Sequence, residues 1–409
     1  MDATSGSVVA VDHDLRPLGP ILLYSDKRSE RQAKYVLQES SVARDYEVYL
    51  PVDSYLVLPK ILWMRSHLVS FDNVDKILNE GDFIQMKLTG KLCTSPNVAG
   101  KAHIDIRSGD YLRELYEDLE VDINLLPPVK PIGESVGPIS ESCSKQTKLP
   151  EKAVVINGVT DSTASDIATG TLSIGQLNAS IGTSLVVHAV AGSAIPDRAK
   201  RIYYKSYVEG RLLAGGATDA GTLPMTSLSR LLGKTLQELD FDAEKIPAGC
   251  EGLIAQPQWI GSRVPDHNPN VRGFFACMTE RNCTAGHMFR SILEGNAVIV
   301  SQLVDIIEEV TGAKVLEIRT SGGGSKSDIQ NRTFSDATGR RVLAVETNEA
   351  CIGSAILAAW GLTREPISTI AQRTVRIRNR FEPNLQVREL YANLAQRLQL
   401  LTAKIYSEA

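Results

Sequence analysis

The sequence has no long apolar run, no paired-cysteine motif and no excess of basic residues. Its apolar stretches fall short of the roughly 18 residues that span a bilayer, and the N-terminus has neither the charged nor the hydrophobic region of a signal peptide. We therefore expect a soluble protein with no membrane partner. The formal net charge of −4 over 409 residues, without a basic stripe, argues against a nucleic-acid partner.

The six cysteines are scattered, with no Cys-x-x-Cys pair and no Cys/His cluster at metal-ligand spacing. This pattern predicts reduced thiols in a cytoplasmic or plastid-stromal compartment rather than disulfides or zinc. We identify no side chain as a protein ligand for a metal. The cysteines are Cys93, Cys143, Cys250, Cys277, Cys283 and Cys351.

Short β-branched runs alternate along the chain with stretches of helical periodicity. With 43% apolar residues in 409, the chain can bury one or two substantial cores. The alternation predicts an α/β architecture. The predicted strands are 7–12, 154–156, 184–190, 202–206 and 315–318. The predicted helices are 27–40, 56–88, 162–169, 287–310, 350–360 and 387–405.

The first chemical motif is Gly158-Val-Thr-Asp161, which follows the apolar run 153–156. A carboxylate after a buried strand is expected at the C-terminal edge of a sheet, where α/β proteins bind their ligands. Asp161 could there accept a hydroxyl proton as a general base. The alternative is that Asp161 only caps the helix that begins near Ser162.

Two further motifs, Ile181-Gly-Thr-Ser184 and Ser321-Gly-Gly-Gly324, place glycines where a strand meets a turn. Bare backbone amides in such turns can bind phosphate oxygens. The first motif taken alone could also be an ordinary tight turn. The glycine run is a stronger signal, because three glycines weaken a fold unless a ligand must approach the backbone closely. It is not a Walker sequence.

The three motifs in this order resemble those of the FGGY carbohydrate kinases, a family of the actin-like ATPase superfamily. The strongest support is Gly273-Phe-Phe-Ala-Cys-Met278, followed after eight residues by His287-Met-Phe-Arg-Ser-Ile-Leu-Glu294. It departs from the family's C-terminal signature at Cys277, where glycine is usual. The resemblance implies two actin-like, ribonuclease H-like α/β lobes around a cleft, over residues 1–178 and 179–409.

On the sugar side, the resemblance assigns roles to four residues. Asp161 matches the catalytic base, which deprotonates the sugar hydroxyl that attacks the γ-phosphate of ATP. Thr4, Ser5 and Asp26 resemble the residues of the sugar pocket. The implied activity is a phosphotransferase acting on a sugar, a small-molecule partner. The N-terminal pattern is closest to the ribulose and xylulose kinase-like proteins of cyanobacteria and plastids, so a ketopentose is the expected substrate.

On the nucleotide side, the resemblance implies ATP with Mg²⁺ bound by the second lobe. One set of residues matches the loop that faces the β- and γ-phosphates, and another matches the stretch that holds the adenosine. Ser327 stands where relatives often carry asparagine. The phosphate set is Gly182, Thr183 and Ser184, and the adenosine set is Gly323, Gly324 and Ser327.

The family's N-terminal Asp-x-Gly-Thr-x-Ser hairpin has no counterpart in this sequence, so we expect a first lobe that lacks its N-terminal strands. The loss of one phosphate clamp would impair phosphoryl transfer, which depends on positioning and charge stabilisation. Three hypotheses stay open: an active sugar kinase, a catalytically impaired kinase-like regulator that binds nucleotide or sugar, and an actin-like structural or chaperone ATPase. Assembly into a homodimer also stays open.

Overall fold

The computed structural model describes residues 1–406, which divide into two compact units that are not contiguous in sequence. The first unit contains Met1–Leu172, Gly192–Leu213 and Glu349–Thr374. The second contains Ser173–Ala191, Ala214–Asn348 and the chain from Val375 onward. The boundary predicted at residues 178 and 179 lies near the first of these crossings, and a single division there remains a prediction.

Within residues 1–406, short strands alternate with helices throughout. The strands are β1 Asp2–Ala3, β2 Val8–Val11, β3 Lys76–Asn79, β4 Ser135–Pro138, β5 Val154–Ile156, β6 Val159–Thr160, β7 Gln176–Ile181, β8 Leu185–Ala191, β9 Tyr203–Ser206, β10 Leu212–Thr218, β11 Ile254–Gln256, β12 Phe274–Ala276, β13 Glu317–Ser321, β14 Arg341–Val345 and β15 Ile377–Phe381.

The α-helices are α1 Glu30–Glu39, α2 Ser41–Tyr46, α3 Val57–His67, α4 Glu80–Thr89, α5 Pro96–Ala99, α6 Arg113–Asp118, α7 Glu141–Thr147, α8 Asp161–Ala168, α9 Thr222–Leu232, α10 Leu236–Glu244, α11 Ala285–Thr311, α12 Asp328–Thr338, α13 Ala350–Thr363, α14 Ile367–Thr374 and α15 Arg388–Tyr406. Short 3₁₀ helices cover Phe71–Asn73, Gly100–Ala102, Ile123–Leu125, Val208–Gly210, Cys250–Gly252, Gly323–Lys326 and Leu385–Val387. In the described part of the chain, none of these helices is long and apolar enough to cross a membrane.

The first unit carries its strands in pairs: β1 with β6, β2 with β3, and β4 with β5. Helices α1 and α3 pack into an apolar core of this unit, which includes the fully buried Val36, Leu58 and Ile61. Each such side chain contributes about 1.5–3 kcal/mol when it leaves water. Helix α13 packs closely on α8, and a Cβ at Gly353 would lie 1.8 Å from the carbonyl oxygen of Ala164. Small residues in α13 therefore bring the two helix backbones together.

The second unit is organised by a sheet whose order includes β15-β14-β13-β7-β8-β10. Strand β13 runs parallel to both β7 and β14, whereas β8 returns antiparallel to β7 and β15 is antiparallel to β14. The long helix α11 buries one apolar face, including Phe289, Ile292 and Leu293, against α9 and α10. Its length and apolar spacing agree with the helix predicted over 287–310.

The helix predicted over 56–88 is wrong in its middle. Helix α3 ends at His67, and Lys76–Asn79 is instead a strand that pairs antiparallel with Val8–Val11. The short apolar run in this strand has no period that separates a buried strand from a buried helix. Its partner lies far away in sequence, so tertiary pairing decided the outcome.

Candidate active site

The short parallel strands β1 and β6 place Thr4 and Asp161 at the same sheet edge. The register pairs Asp2 with Val159 and Ala3 with Thr160. Thr4 and Asp161 are the residues that follow the two strands. Because parallel strands end at the same edge, these residues, which the sequence analysis assigned to the sugar site, come together across more than 150 positions of sequence.

Asp161 is the first residue of α8, and the helix N-cap is Thr160. The backbone amide of Ser162 donates to Asp161 Oδ1 at 2.6 Å. Burial raises the pKa of the Asp161 carboxyl, while the Ser162 amide and the Lys205 ammonium oppose this rise. A raised pKa makes the carboxylate a stronger proton acceptor than an exposed aspartate. The site therefore suits a general base.

The turn after β1 is held by polar contacts to the start of α4. The Thr4 hydroxyl donates to Glu80 Oε1 and lies 2.8 Å from the hydroxyl of Ser7. The Asn79 amide donates to the carbonyl oxygens of Thr4 and Ser7, each at 3.0 Å. The predicted sugar residue Thr4 is thus fixed by β3 and α4, elements that the sequence analysis read as one helix.

Ser5 lines a small cavity together with Asn97, Lys101, Thr160 and Lys205. The two lysines were not identified from the sequence, because neither lies in a recognisable motif. Burial and the neighbouring Lys205 ammonium lower the pKa of Lys101 to about 7. The polar environment of Ser5 therefore includes two amino groups close to each other.

Asp26 lies in a turn that Lys60 ties to the segment after β1. Asp26 accepts from the guanidinium of Arg28 at 2.9 and 2.5 Å, which lowers the pKa of its carboxyl. The buried Lys60 ammonium donates to Gly6 O at 2.6 Å and to Leu23 O at 2.8 Å. These bonds hold the two predicted sugar-pocket turns side by side.

In the second unit, Gly182–Ser184 forms the tight turn that joins β7 to β8. The Gly182 amide donates to Ser184 O at 3.0 Å, and Thr222 at the start of α9 donates to Gly182 O at 2.8 Å. Gly221 has φ +127°, and a Cβ there would lie 2.7 Å from Gly182 O. Gly221 belongs to no motif that the sequence predicts, and its lack of a side chain lets α9 begin directly against this turn.

The glycine run Gly322–Gly324 lies beside this turn, because β13 is the parallel neighbour of β7 and Ser321 is in register with Ser180. A Cβ at Gly324 would lie 2.4 Å from Ile181 Cγ2, whereas a Cβ at Gly323 would meet no atom within 4 Å. Gly323 also begins a 3₁₀ helix, whose first amides have no partner inside the helix. The backbone around Gly323 is therefore open to a ligand.

Ser327 is buried and acts as the N-cap of α12. Its hydroxyl accepts from the Gln330 amide at 3.1 Å and donates to Asp240 Oδ1 at 2.7 Å. Both of these bonds are structural. The predicted contact of Ser327 with adenosine stays a prediction.

Arg263 connects Ser184 to the end of β10. Its Nε donates to Asp219 Oδ1 at 2.9 Å, and an Nη atom donates to the Ser184 hydroxyl at 3.1 Å. The structure shows the ion pair, which brings the guanidinium to the predicted phosphate loop.

The two turns lie at neighbouring strand ends and carry hydroxyls and glycine backbone, groups that commonly contact nucleotides in proteins. Over residues 1–406, no group of three or more His, Cys, Asp or Glu side chains is arranged to hold a metal ion. Mg²⁺ in nucleotide enzymes needs only one or two carboxylates besides the phosphates and water. The residues present are therefore compatible with a metal that arrives with the nucleotide.

Comparison with known families shows the class of this protein: the chain belongs to the FGGY family of carbohydrate kinases. The model of the family's N-terminal domain matches residues 3–168, and the model of its C-terminal domain matches residues 177–362. The chain is thus a carbohydrate kinase with the two-lobed actin-like α/β fold, as the resemblance predicted.

Individual relatives are xylulose kinases and gluconokinases. A xylulose kinase of Bacillus subtilis is 24% identical over 95% of this chain and 79% of its own length. A gluconokinase of the same organism is 24% identical over 87% of this chain and 72% of its own length. The solved xylulose kinase of Rhodospirillum rubrum has a TM-score of 0.91 at 24% identity, over 99% of this chain and 83% of that one.

Proposed function

We propose that this kinase transfers the γ-phosphoryl group of ATP to a hydroxyl of a ketopentose, such as D-ribulose or D-xylulose, with Asp161 as the general base. The observation that carries the proposal is the β1–β6 register, which brings Thr4 to the strand edge where Asp161 begins α8. The xylulose kinases among the relatives support the ketopentose as substrate.

Asp161 suits the role of base because its carboxyl is partly buried and a nearby cation, Lys205, limits the resulting rise of its pKa. Burial strengthens its carboxylate as a proton acceptor, and Lys205 favours the ionised form that must be present before the proton moves. In the proposed reaction, Asp161 accepts the proton of the sugar hydroxyl as that oxygen attacks the phosphoryl group. Thr4, Ser5 and Asp26 are the proposed residues of the sugar pocket.

The second unit is the proposed nucleotide site. The turn Gly182–Ser184 would bind the β- and γ-phosphates through amides and hydroxyls, and the backbone at Gly323 and Gly324 would contact the adenosine. Mg²⁺, when bound with ATP, neutralises charge on the phosphates. Gly221 packs closely against the backbone of Gly182–Ser184, and this packing would keep the proposed phosphate turn in one conformation.

Coupled ADP release tests the proposal, with D-ribulose, D-xylulose, D-gluconate and glycerol as acceptors. We expect turnover with a ketopentose, and a roughly 10²–10⁴-fold lower kcat for Asp161→Asn. The exposed Asp14→Asn is the matched control and should retain full activity. Turnover with D-gluconate alone would show that the proposed ketopentose substrate is wrong. ATP hydrolysis that does not depend on sugar would contradict the kinase role. Nucleotide binding without turnover would favour the regulator.

A further inference from the structure

Lys205 lies next to the proposed base, Asp161. Within residues 1–406 it has no carboxylate partner. It belongs to β9, and its Nζ donates to the Ser162 hydroxyl at 3.1 Å. Ser162 is the residue after Asp161, and its amide binds the Asp161 carboxylate. In residues 1–406, no carboxylate forms an ion pair with Lys205. No structural ion pair therefore neutralises the charge of Lys205 within the described residues.

The other elements packed on α8 carry few charges that could take the place of Lys205. Strand β1 contributes Asp2, an anion whose carboxylate accepts from the Ser354 hydroxyl. Strand β6 has no titratable side chain, and over its 350–363 span α13 has only Cys351. Helix α8 itself adds the buried Asp166. Lys205 is thus the cation set against the carboxylates near Asp161.

Lys101 is the second amino group near this position, since both lysines line the same cavity. The Lys101 side chain lies over the ring of Tyr55, with Nζ 4.3 Å from the ring centre. Burial, Lys205 and Lys60 together lower the pKa of Lys101 to about 7, so Lys101 loses much of its charge near neutral pH. Of the two lysines, Lys205 is the one whose charge acts on the Asp161 carboxyl.

We propose that Lys205 is a positioning residue for phosphoryl transfer: it keeps Asp161 in its carboxylate form and, through Ser162, holds the first turn of α8. This inference rests on the proposed function, in which Asp161 is the base. The physical reason is that a partly buried carboxylate is costly to ionise unless a cation or hydrogen-bond donors compensate the lost solvation. Lys205 supplies the cation, and its bond to Ser162 keeps it in place.

The test compares Lys205→Met and Lys205→Arg by the pH profile of kcat/KM with the best ketopentose. For Lys205→Met we expect the acid limb to move upward by about one pH unit, which is roughly a tenfold loss on that limb. Lys205→Arg keeps the positive charge and should restore most of the limb. Ser162→Ala removes the hydroxyl that holds the Lys205 ammonium. It should move the acid limb in the same direction as Lys205→Met, but by a smaller amount. The exposed Lys152→Met is the matched control.

An equal fall of kcat/KM at every pH in Lys205→Met would overturn the proposal, because it would indicate substrate binding or general damage. Circular dichroism shows whether Lys205→Met is misfolded. Lys205→Arg, which keeps the positive charge, shows whether the effect comes from the lost charge. If Asp161→Asn leaves the acid limb in place, the proposed base is wrong; if the limb depends on Asp161 but not on Lys205, only this inference fails.

A carboxyl titration by NMR needs no turnover and completes the test. Aspartates carrying ¹³C in the side-chain carboxyl are observed, and the Asp161 signal is assigned by its loss in Asp161→Asn. We expect its titration midpoint to be higher in Lys205→Met than in the parent chain. An unchanged midpoint would overturn the inference even if no sugar substrate were found.

Discussion

The proposed sugar site and the proposed nucleotide site of this kinase are built from different kinds of groups. In the first unit, the proposed site depends on charged and hydroxylated side chains: Thr4 and Asp161 follow the two-residue strands β1 and β6, and Lys205 lies in β9. In the second unit, it depends on bare backbone at Gly221 and Gly324, packed against Ile181 and Gly182. The first region should therefore respond to changes of charge at constant shape, and the second to the addition of single methyl groups.

The largest expected effect is that of Gly221→Ala. A Cβ at Gly221 would lie 2.7 Å from Gly182 O and 2.9 Å from Thr183 O, on a backbone with φ +127°. We expect the free energy of unfolding to fall by about 2–5 kcal/mol, with loss of nucleotide binding. Urea unfolding and ATP titration calorimetry measure the two effects. Gly233→Ala, at the C-terminal end of α9 and in open space, is the control for strain from positive φ alone.

The next prediction compares two neighbouring glycines. Gly324→Ala should cost about 1–3 kcal/mol of stability, because its Cβ would overlap the Ile181 side chain. Gly323→Ala meets no atom, so its stability should change by less than about 1 kcal/mol. If nucleotide binds at this backbone, Gly323→Ala should still weaken ATP binding. Equal stability of the two variants would contradict the close packing of the turn.

A third prediction concerns Asp82, a buried carboxyl of α4 in the first unit. Burial raises its pKa to about 8, although the Thr94 hydroxyl opposes the rise. The free carboxyl in the unfolded chain ionises near pH 4, so folding loses stability as pH rises from about 4 to about 8. Asp82→Asn should therefore gain thermal stability over the parent chain across this window, with a constant gain above it. Melting temperatures from pH 4 to 9 check this, and a pH-independent difference would refute it.

The smallest expected effect is that of Asp26→Asn on stability. Arg28 lowers the pKa of Asp26, so the pair contributes stability above the ordinary aspartate pKa and loses it as pH falls through the lowered value. Since half of the Arg28 side chain is exposed, we expect only about 0.2–1 kcal/mol at neutral pH. Urea unfolding at neutral and acid pH measures the difference. If Asp26→Asn raises the KM for the sugar while the free energy of unfolding changes by no more than this amount, the result would support Asp26 as a sugar-pocket residue.

Much of the fold follows from local patterns in the sequence. The spacing of apolar residues in α11 and α15, and the small residues of α13, predict helices that the structure contains. The strands β5, β8 and β9 also lie where β-branched runs predict them. The strand β13 begins two residues later than predicted, and β3 was missed within a supposed helix. These two errors occur where a short apolar run has no period of its own. Other strands, such as β4, β10 and β14, were not predicted.

The candidate site divides in the same way. Asp161, the Gly182–Ser184 turn and the glycine run were proposed from the sequence because each belongs to a short motif next to a predicted strand. Lys205, Lys101 and Gly221 were missed, since none belongs to a motif. Lys205 reaches Ser162 from 43 residues away, and Gly221 meets Gly182 only where α9 packs on the hairpin turn. Such approaches are set by tertiary packing.

The sequence by itself determined the family and the α/β class, and it supplied the carboxylate proposed as the base and the glycines proposed for the nucleotide site, because these depend on residue type and local spacing. Only the tertiary structure decided which side chains surround that carboxylate. The β1–β6 register brings Thr4 beside Asp161, and β9 carries Lys205 to the same place. The ionisation of a partly buried acid depends on the charges within a few ångströms, and those neighbours come from segments that are distant in sequence.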